Sequence, residues 1–184
     1  MEQTHSLHIR QGAPADLPAI NDVVEAAVMA WPLPPRLRRL SVPVLRYDAA
    51  DMADYELLLG HRGGQLAGIA AWCARPAPGA AASGLPAHAL LHGLYVNPAQ
   101  QRQGIGRSLQ EAVARRAGEA RLEGILVKAE RVSREYFARC GYQTLPIEDD
   151  PPSAYPYRFW MALPRTAVTT GAAATRPPVQ GAAA

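Results

Sequence analysis

Hydrophobic positions along the chain follow two periods, and the points where the period changes mark out strands and helices. Leu7 to Arg10 is a short strand-like run. Ala13-Pro14-Ala15-Asp16 then opens a helix, with Pro14 in its first turn and Asp16 near the positive end of the peptide dipoles. Leu17, Ile20, Val24, Ala27 and Val28 recur at helical spacing as its apolar stripe, and Trp31-Pro32-Leu33-Pro34-Pro35 stops it. Arg36-Leu37-Arg38-Arg39-Leu40 reads as the charged face of a short helix. Tyr55 to His61 and Leu66 to Cys73 are strand-like runs joined by Arg62-Gly63-Gly64-Gln65, which supplies the glycines that a tight hairpin turn needs. Pro76 to Pro86, rich in alanine, glycine and proline, reads as a flexible surface loop.

The change of period is sharpest between Leu90 and Leu122. Leu90 to Val96 has the content and length of a buried strand, and Asn97-Pro98 ends it because proline cannot donate to a ladder. Gln101-Arg102-Gln103-Gly104-Ile105-Gly106 follows. Ile105, Leu109, Ala112, Val113 and Ala117 then recur at helical spacing, with Arg107, Gln110, Glu111, Arg115 and Glu119 on the other face. The reading is strand, glycine turn, helix. Gly124 to Ala129 is the next strand, Ser133 is placed to cap a further helix, and Gly141 sits where a left-handed residue commonly ends one. Tyr155 to Leu163 reads as the last strand. From about Arg165 the composition turns to alanine, threonine, glycine and proline, so residues 1–164 are expected to form one domain and 165–184 a disordered tail.

Composition narrows the function classes. With 48% apolar residues over 184 positions, the chain can bury a core of its own. No stretch approaches the roughly 20 apolar residues of a membrane span, and Met-Glu-Gln-Thr-His-Ser lacks the order of a secretion signal, so no membrane association and a cytoplasmic location are expected. Cys73 and Cys140 make neither a disulfide framework nor a common zinc site, and no metal is expected. A net charge of +3 is too small to argue for nucleic acid.

The glycine turn carries the first chemical signal. A first helical turn leaves backbone N–H groups without partners, and the peptide dipoles place partial positive charge there. Because Gly104 and Gly106 have no side chains, a phosphate could approach the amides of Gln103 through Arg107, with Arg102 or Arg107 adding charge-assisted bonds. A plain helix start with two flexible glycines accounts for the same residues. A P-loop would need a lysine where Arg107 stands. A dinucleotide fingerprint would need a third glycine where Leu109 stands, although Glu130 after the next strand mimics its ribose-binding acid.

With Gln101, Gly104 and Gly106 in place, the sequence resembles the GCN5-related N-acetyltransferases, whose signature is Gln or Arg, two residues, Gly, one residue, then Gly or Ala. The resemblance extends upstream to Leu94-Tyr95-Val96 and downstream to Glu135-Tyr136-Phe137-Ala138-Arg139-Cys140-Gly141-Tyr142, which looks like the family's aromatic helix. It implies an α/β fold: a mixed, mostly antiparallel central sheet flanked by helices, with two central strands splayed around an acyl-CoA. It further implies acetyl-CoA as cosubstrate, with the pantetheine arm on Leu94, Tyr95 and Val96 and the pyrophosphate on Arg102 through Arg107, that is Arg102, Gln103, Gly104, Ile105, Gly106 and Arg107. Ser133 is a further contact to the cofactor or, equally, a helix cap.

For the chemistry, a lysine-like amine with a pKa of about 10.4 must lose a proton before it attacks a thioester. Relatives place a carboxylate on the central strand; here that position is His92, whose ordinary pKa of about 6.5 suits a base. His5, His8, His61 and His88 are weaker candidates because nothing places them at the splay. The family's usual acid, a tyrosine on the late helix, is replaced by Phe137, and Tyr136 is rotated by about 100°. Tyr142, Cys140 or water is then the expected proton donor, unless none is needed. Glu130 and Ser133 also depart from the family's asparagine and alanine.

The expected activity is transfer to a primary amine of a small molecule or peptide, with Glu148-Asp149-Asp150 suggesting a cationic acceptor. Assembly as a homodimer stays open. Two rival readings remain: an acyl-CoA-binding module without turnover, which the missing tyrosine permits, and a nucleotide-binding oxidoreductase, which the glycine spacing disfavours.

Overall fold

The computed structural model describes residues 6–74, 85–146 and 156–164. His5, most of the loop expected at 76–86, the acidic run Glu148-Asp149-Asp150 and the expected tail at 165–184 lie outside them. The elements run β1 (His8–Gln11), α1 (Leu17–Met29), α2 (Pro35–Leu45), α3 (Asp51–Asp54), β2 (Glu56–Arg62), β3 (Gln65–Cys73), β4 (His88–Val96), α4 (Ile105–Glu119), β5 (Gly124–Ala129), α5 (Arg134–Arg139), β6 (Gln143–Leu145) and β7 (Tyr157–Ala162). The strands form one sheet in the order β1-β2-β3-β4-β5-β7-β6. Every pairing is antiparallel except β4 with β5. The expected mixed, mostly antiparallel sheet with helices on both faces is what forms.

Alternation along the strands sorts the two faces. Leu57, Leu59, Ile69 and Ala71 pack against Ile20, Val24, Ala27 and Val28 of α1. Leu58, Ala70 and Trp72 turn the other way, beneath Ile105, Leu109, Ala112 and Val113 of α4 and Phe137 of α5. The β2–β3 hairpin closes through Gly63 and Gly64, both at positive φ (58° and 79°), as the primed turn matching strand twist requires.

Two irregularities in the middle of the sheet matter for function. Ala71 of β3 faces Gly93 of β4 whereas Trp72 faces Leu91, so β4 carries one extra residue, His92, with no partner in β3. Such a bulge inverts the alternation beyond it. Leu91 accordingly belongs to the α4-side core and Tyr95 to the α1-side core, which strict alternation would forbid. In addition, β4 pairs with β5 only from His88 opposite Gly124 to Leu91 opposite Val127. β4 runs on to Val96 while β5 runs on to Ala129, still paired with Tyr157 of β7. The two strands therefore part immediately at the bulge.

Three features were not foreseen. β6 is too short to show a period and exists through its pairing with β7, α3 is a single turn, and α2 extends to Leu45 with Pro43 inside it. Among the described residues no helix is long and apolar enough to cross a membrane.

Helix α4 is anchored by Leu109, which is fully buried and lies against Gly60 and Gly68 of the hairpin. Leu109→Ala is expected to lower the unfolding free energy by about 3 kcal/mol, measured by urea denaturation, because a truncated buried leucine loses both transfer energy and neighbours. A loss below about 1 kcal/mol would contradict this packing.

Candidate functional site

Where β4 and β5 part, the sheet opens into a cleft. His92, Gly93, Leu94 and Tyr95 form its β4 wall, and Lys128, Ala129 and Glu130 its β5 wall. Ser133 and Phe137 close one end, and Trp31 and Leu45 bring in the α1–α2 side. Past Leu91, the β4 edge turned toward β5 has no strand partner, so its main-chain groups face the cleft.

His92 is exposed to solvent, yet one face of its ring stacks on Tyr55 with centroids 4.3 Å apart. The hydroxyl of Tyr47 lies 3.3 Å from Nδ1. Water is thus removed from one side of the imidazole, and this partial burial lowers its pKa below the ordinary histidine value, with Asp51 opposing the shift. The exposure and the lowered pKa describe two sides of one ring. Neutral imidazole is the favoured form, as a proton acceptor requires.

The glycine turn lies at the far end of β4. A short 3₁₀ turn, Pro98–Gln100, follows Val96, and Arg102 and Gly104 adopt left-handed φ of 59° and 80°. Gly104 is the N-cap of α4 but offers no side-chain cap, and the first bond of the helix runs from Ser108 N–H to Gly104 C=O. The amides of Ile105, Gly106 and Arg107 are left without intrahelical acceptors. A Cβ on Gly106 would lie 3.6 Å from Val96 and 2.6 Å from the hydroxyl of Tyr136, so the turn sits hard against the end of the strand. Gln101 bonds back to the carbonyl of Val96 at 3.3 Å, and Arg62 of the hairpin donates to the side-chain oxygen of Gln103. Arg102 and Arg107 are exposed, the latter paired with Glu111 at 3.0 Å. Ile105 points into the core. The arrangement is an open row of donors with two arginines beside it, suited to an anion.

The structure separates the remaining candidates. Ser133 lies in the cleft and makes no capping hydrogen bond, so the cap expected of it does not form. Tyr142 is buried against Phe137, its hydroxyl has no partner, and it is not among the residues lining the cleft. Burial raises the pKa of Tyr142 and of Tyr136. The Tyr136 oxygen accepts from Gln110 at 2.6 Å beneath the glycine turn. His88 is buried at the start of β4 with Nδ1 at 2.7 Å from the carbonyl of Pro86, away from the cleft lining. His8 and His61 face each other across β1 and β2.

Sequence reasoning missed four residues that shape the cleft. Trp31 and Tyr47 come from segments between helices and Tyr55 from the junction of α3 and β2, and nothing in their local pattern shows that they meet β4. Glu130, read as a mimic of a ribose-binding acid and as a departure from the family pattern, is a partly buried carboxyl whose pKa is raised by burial. Its place directly after β5 was the available signal. Among the described residues no group of three or more His, Cys, Asp or Glu could hold a metal ion.

The sequence model of the acetyltransferase (GNAT) family matches residues 22–142. Solved structures match over most of the chain. PaiA N-acetyltransferase from Thermoplasma acidophilum, in complex with coenzyme A, gives a TM-score of 0.68 at 13% identity over 85% of this chain and 99% of that one. A GNAT family acetyltransferase from Brucella melitensis, in complex with acetyl-CoA, gives 0.56 at 24% identity over 86% and 88%. Ard1 from Thermoplasma volcanium gives 0.57 at 12% identity over 85% and 97%. At these identities the likeness is one of fold. No curated protein matches the sequence.

Gly104→Glu tests the row of donors. No atom lies within 4 Å of the position a Cβ would take, so the fold has room, at a left-handed strain of about 1–2 kcal/mol. The new carboxylate would sit among the amides and repel a diphosphate. Calorimetric titration with CoA is expected to show binding lost while the thermal unfolding midpoint stays within a few degrees. Unchanged affinity would move the diphosphate elsewhere.

Proposed function

The chain belongs to the acetyltransferase (GNAT) family, and from that premise we propose that it moves an acetyl group from acetyl-CoA to a primary amine of a small molecule or peptide, by direct transfer in a ternary complex. The observation that carries this reading is the parting of β4 and β5 at His92, beside a helix start with unpartnered amides. One feature takes a thioester, the other its diphosphate.

Bound there, acetyl-CoA supplies the acyl group and a thiolate that leaves. The amides of residues 103–107, with Arg102 and Arg107, hold the diphosphate, and Gln101 braces the turn through Val96. Main-chain groups of Leu94, Tyr95 and Val96 align the pantetheine arm, and Ser133, free of capping duty, adds a contact from the other side. Central-strand amides donate to the carbonyl oxygen as charge builds on it.

His92 takes the proton of the amine. A base whose pKa lies below 6.5 cannot deprotonate a free ammonium of pKa about 10.4 beforehand at useful concentration. The ammonium proton is therefore lost to solvent and the neutral fraction of the amine attacks; His92 accepts the second proton as the N–C bond forms, when the nitrogen becomes strongly acidic, and the C–S bond then breaks. Phe137 offers no proton to the departing sulfur, and the buried hydroxyl of Tyr142 is not on the cleft wall. A thiol of pKa about 8.5 leaves tolerably as the thiolate and is protonated by water.

The alternative, an acyl-CoA-binding module, is favoured by the absence of an acid at Phe137. Release of free thiol from acetyl-CoA with a panel of primary amines separates the two. Turnover with at least one amine is expected; CoA binding without turnover on any would leave the binding module.

His92→Ala is expected to lower kcat by about 10²-fold while CoA affinity is kept, in line with the loss of a general base. In the native enzyme at saturating amine, protonation of His92 removes the base, so kcat is full above the lowered pKa and falls as pH drops through it. An acid limb centred below 6.5 is the expected profile, and one centred clearly above 6.5 would remove His92 from the role.

A further inference from the structure

We propose that Tyr47 orients His92: its phenol oxygen accepts a hydrogen bond from Nδ1–H and thereby presents the Nε2 lone pair to the cleft. The proposal rests on the reading of His92 as the base and names what sets its tautomer.

Tyr47 is held with unusual completeness. It is buried, and its backbone is clasped at both ends by the side chain of Asn21 on α1. The Asn21 amide nitrogen donates to the Tyr47 carbonyl at 2.9 Å, and the Tyr47 N–H donates to the Asn21 oxygen at 2.8 Å. Asn21 is itself buried beside Ile20 and Val24, which lie in the α1-side core. A fully paired, buried polar pair of this kind fixes a segment that has no regular structure of its own. The phenol ring then packs edge-on to Tyr95, centroids 6.5 Å apart, and reaches over the bulge. Its hydroxyl lies where a side chain on Gly93 would start: a Cβ there would come within 2.2 Å of it. Only glycine at that position lets the hydroxyl approach the strand beside His92.

Two contacts then fix the imidazole. Tyr55 covers one face at an interplanar angle of 28°, which sets the plane of the ring. The Tyr47 oxygen at 3.3 Å from Nδ1 sets its rotation within that plane. Nε2 remains as the nitrogen available to a substrate. A neutral imidazole has one N–H, so a phenol that accepts from Nδ1–H leaves Nε2 as the acceptor, whereas a phenol that donated to Nδ1 would leave Nε2 protonated and useless as a base. The other charged or titratable groups around the ring are Tyr55, Asp51 of α3, and Lys128 and Glu130 on the opposite wall. None of these last three is hydrogen-bonded to Nδ1.

Tyr47→Phe removes the oxygen and keeps the ring, so the core stays filled. The tautomer is read directly from the ¹⁵N shifts of His92 in the free protein. Native protein is expected to hold the Nδ1–H form, and the variant to drift toward Nε2–H. Loss of an acceptor that the imidazolium prefers should move the acid limb of kcat to lower pH, and kcat should fall by about tenfold, part of the ~10²–10⁴ a general base supplies. CoA affinity and the unfolding midpoint should change little. An Nε2–H form in the native protein, or an acid limb that moves to higher pH in the variant, would overturn the proposal because the phenol would then be donating. If the tautomer changes as expected while His92→Ala keeps the native rate, Tyr47 does orient the ring and the base assignment fails instead.

Discussion

One extra residue in β4 governs the centre of this molecule. Backbone polar groups in a sheet must be paired, so inserting His92 between partners of Ala71 and Trp72 cannot be absorbed without a kink and an inversion of the side-chain alternation. The strand that kinks is also the one whose pairing with β5 ends at Leu91. A bulge at that place therefore produces three things together. It aims an imidazole into the opening, frees a main-chain edge, and moves Tyr95 from one core to the other.

The second determinant is how closely α4 lies on the hairpin. A Cβ on Gly68 would sit 2.9 Å from the Tyr95 carbonyl and 3.1 Å from Ile105 and Leu109, so glycine there is what allows the helix its depth. That depth places the open first turn of α4 next to Val96. The packing of an apolar stripe and the position of the uncapped helix start are thus one fact. Because α4 is held by Leu109, Ala112 and Val113 along its buried face, its N-terminal amides are presented by a rigid element.

Around His92 the walls are aromatic on the α1 side and charged on the β5 side, with Tyr47, Tyr55 and Trp31 against Lys128 and Glu130. The aromatic side strips water from the imidazole and keeps it neutral. Partial burial raises the pKa of the Glu130 carboxyl on the opposite wall.

Much of this could be read from residue order alone. β5 at Gly124–Ala129, the glycine hairpin, the helix beginning at Ile105 and the left-handed Gly141 follow from period, turn chemistry and capping, which act over a few residues. The donor row after Gly104 was equally visible, since a helix start leaves amides unpaired in any fold. What tertiary structure alone decided is who surrounds His92. Asn21 clasps Tyr47 from 26 positions away, Tyr47 reaches His92 from 45, and neither distance leaves a trace in local pattern. The bulge was hidden for a related reason: β4 is apolar on both faces, so the inverted alternation leaves no polar–apolar mark in the sequence and appears only when β3 lies beside it. Local rules set the elements, whereas the surroundings of His92 are assembled from contacts that exist only once the sheet has closed on its helices.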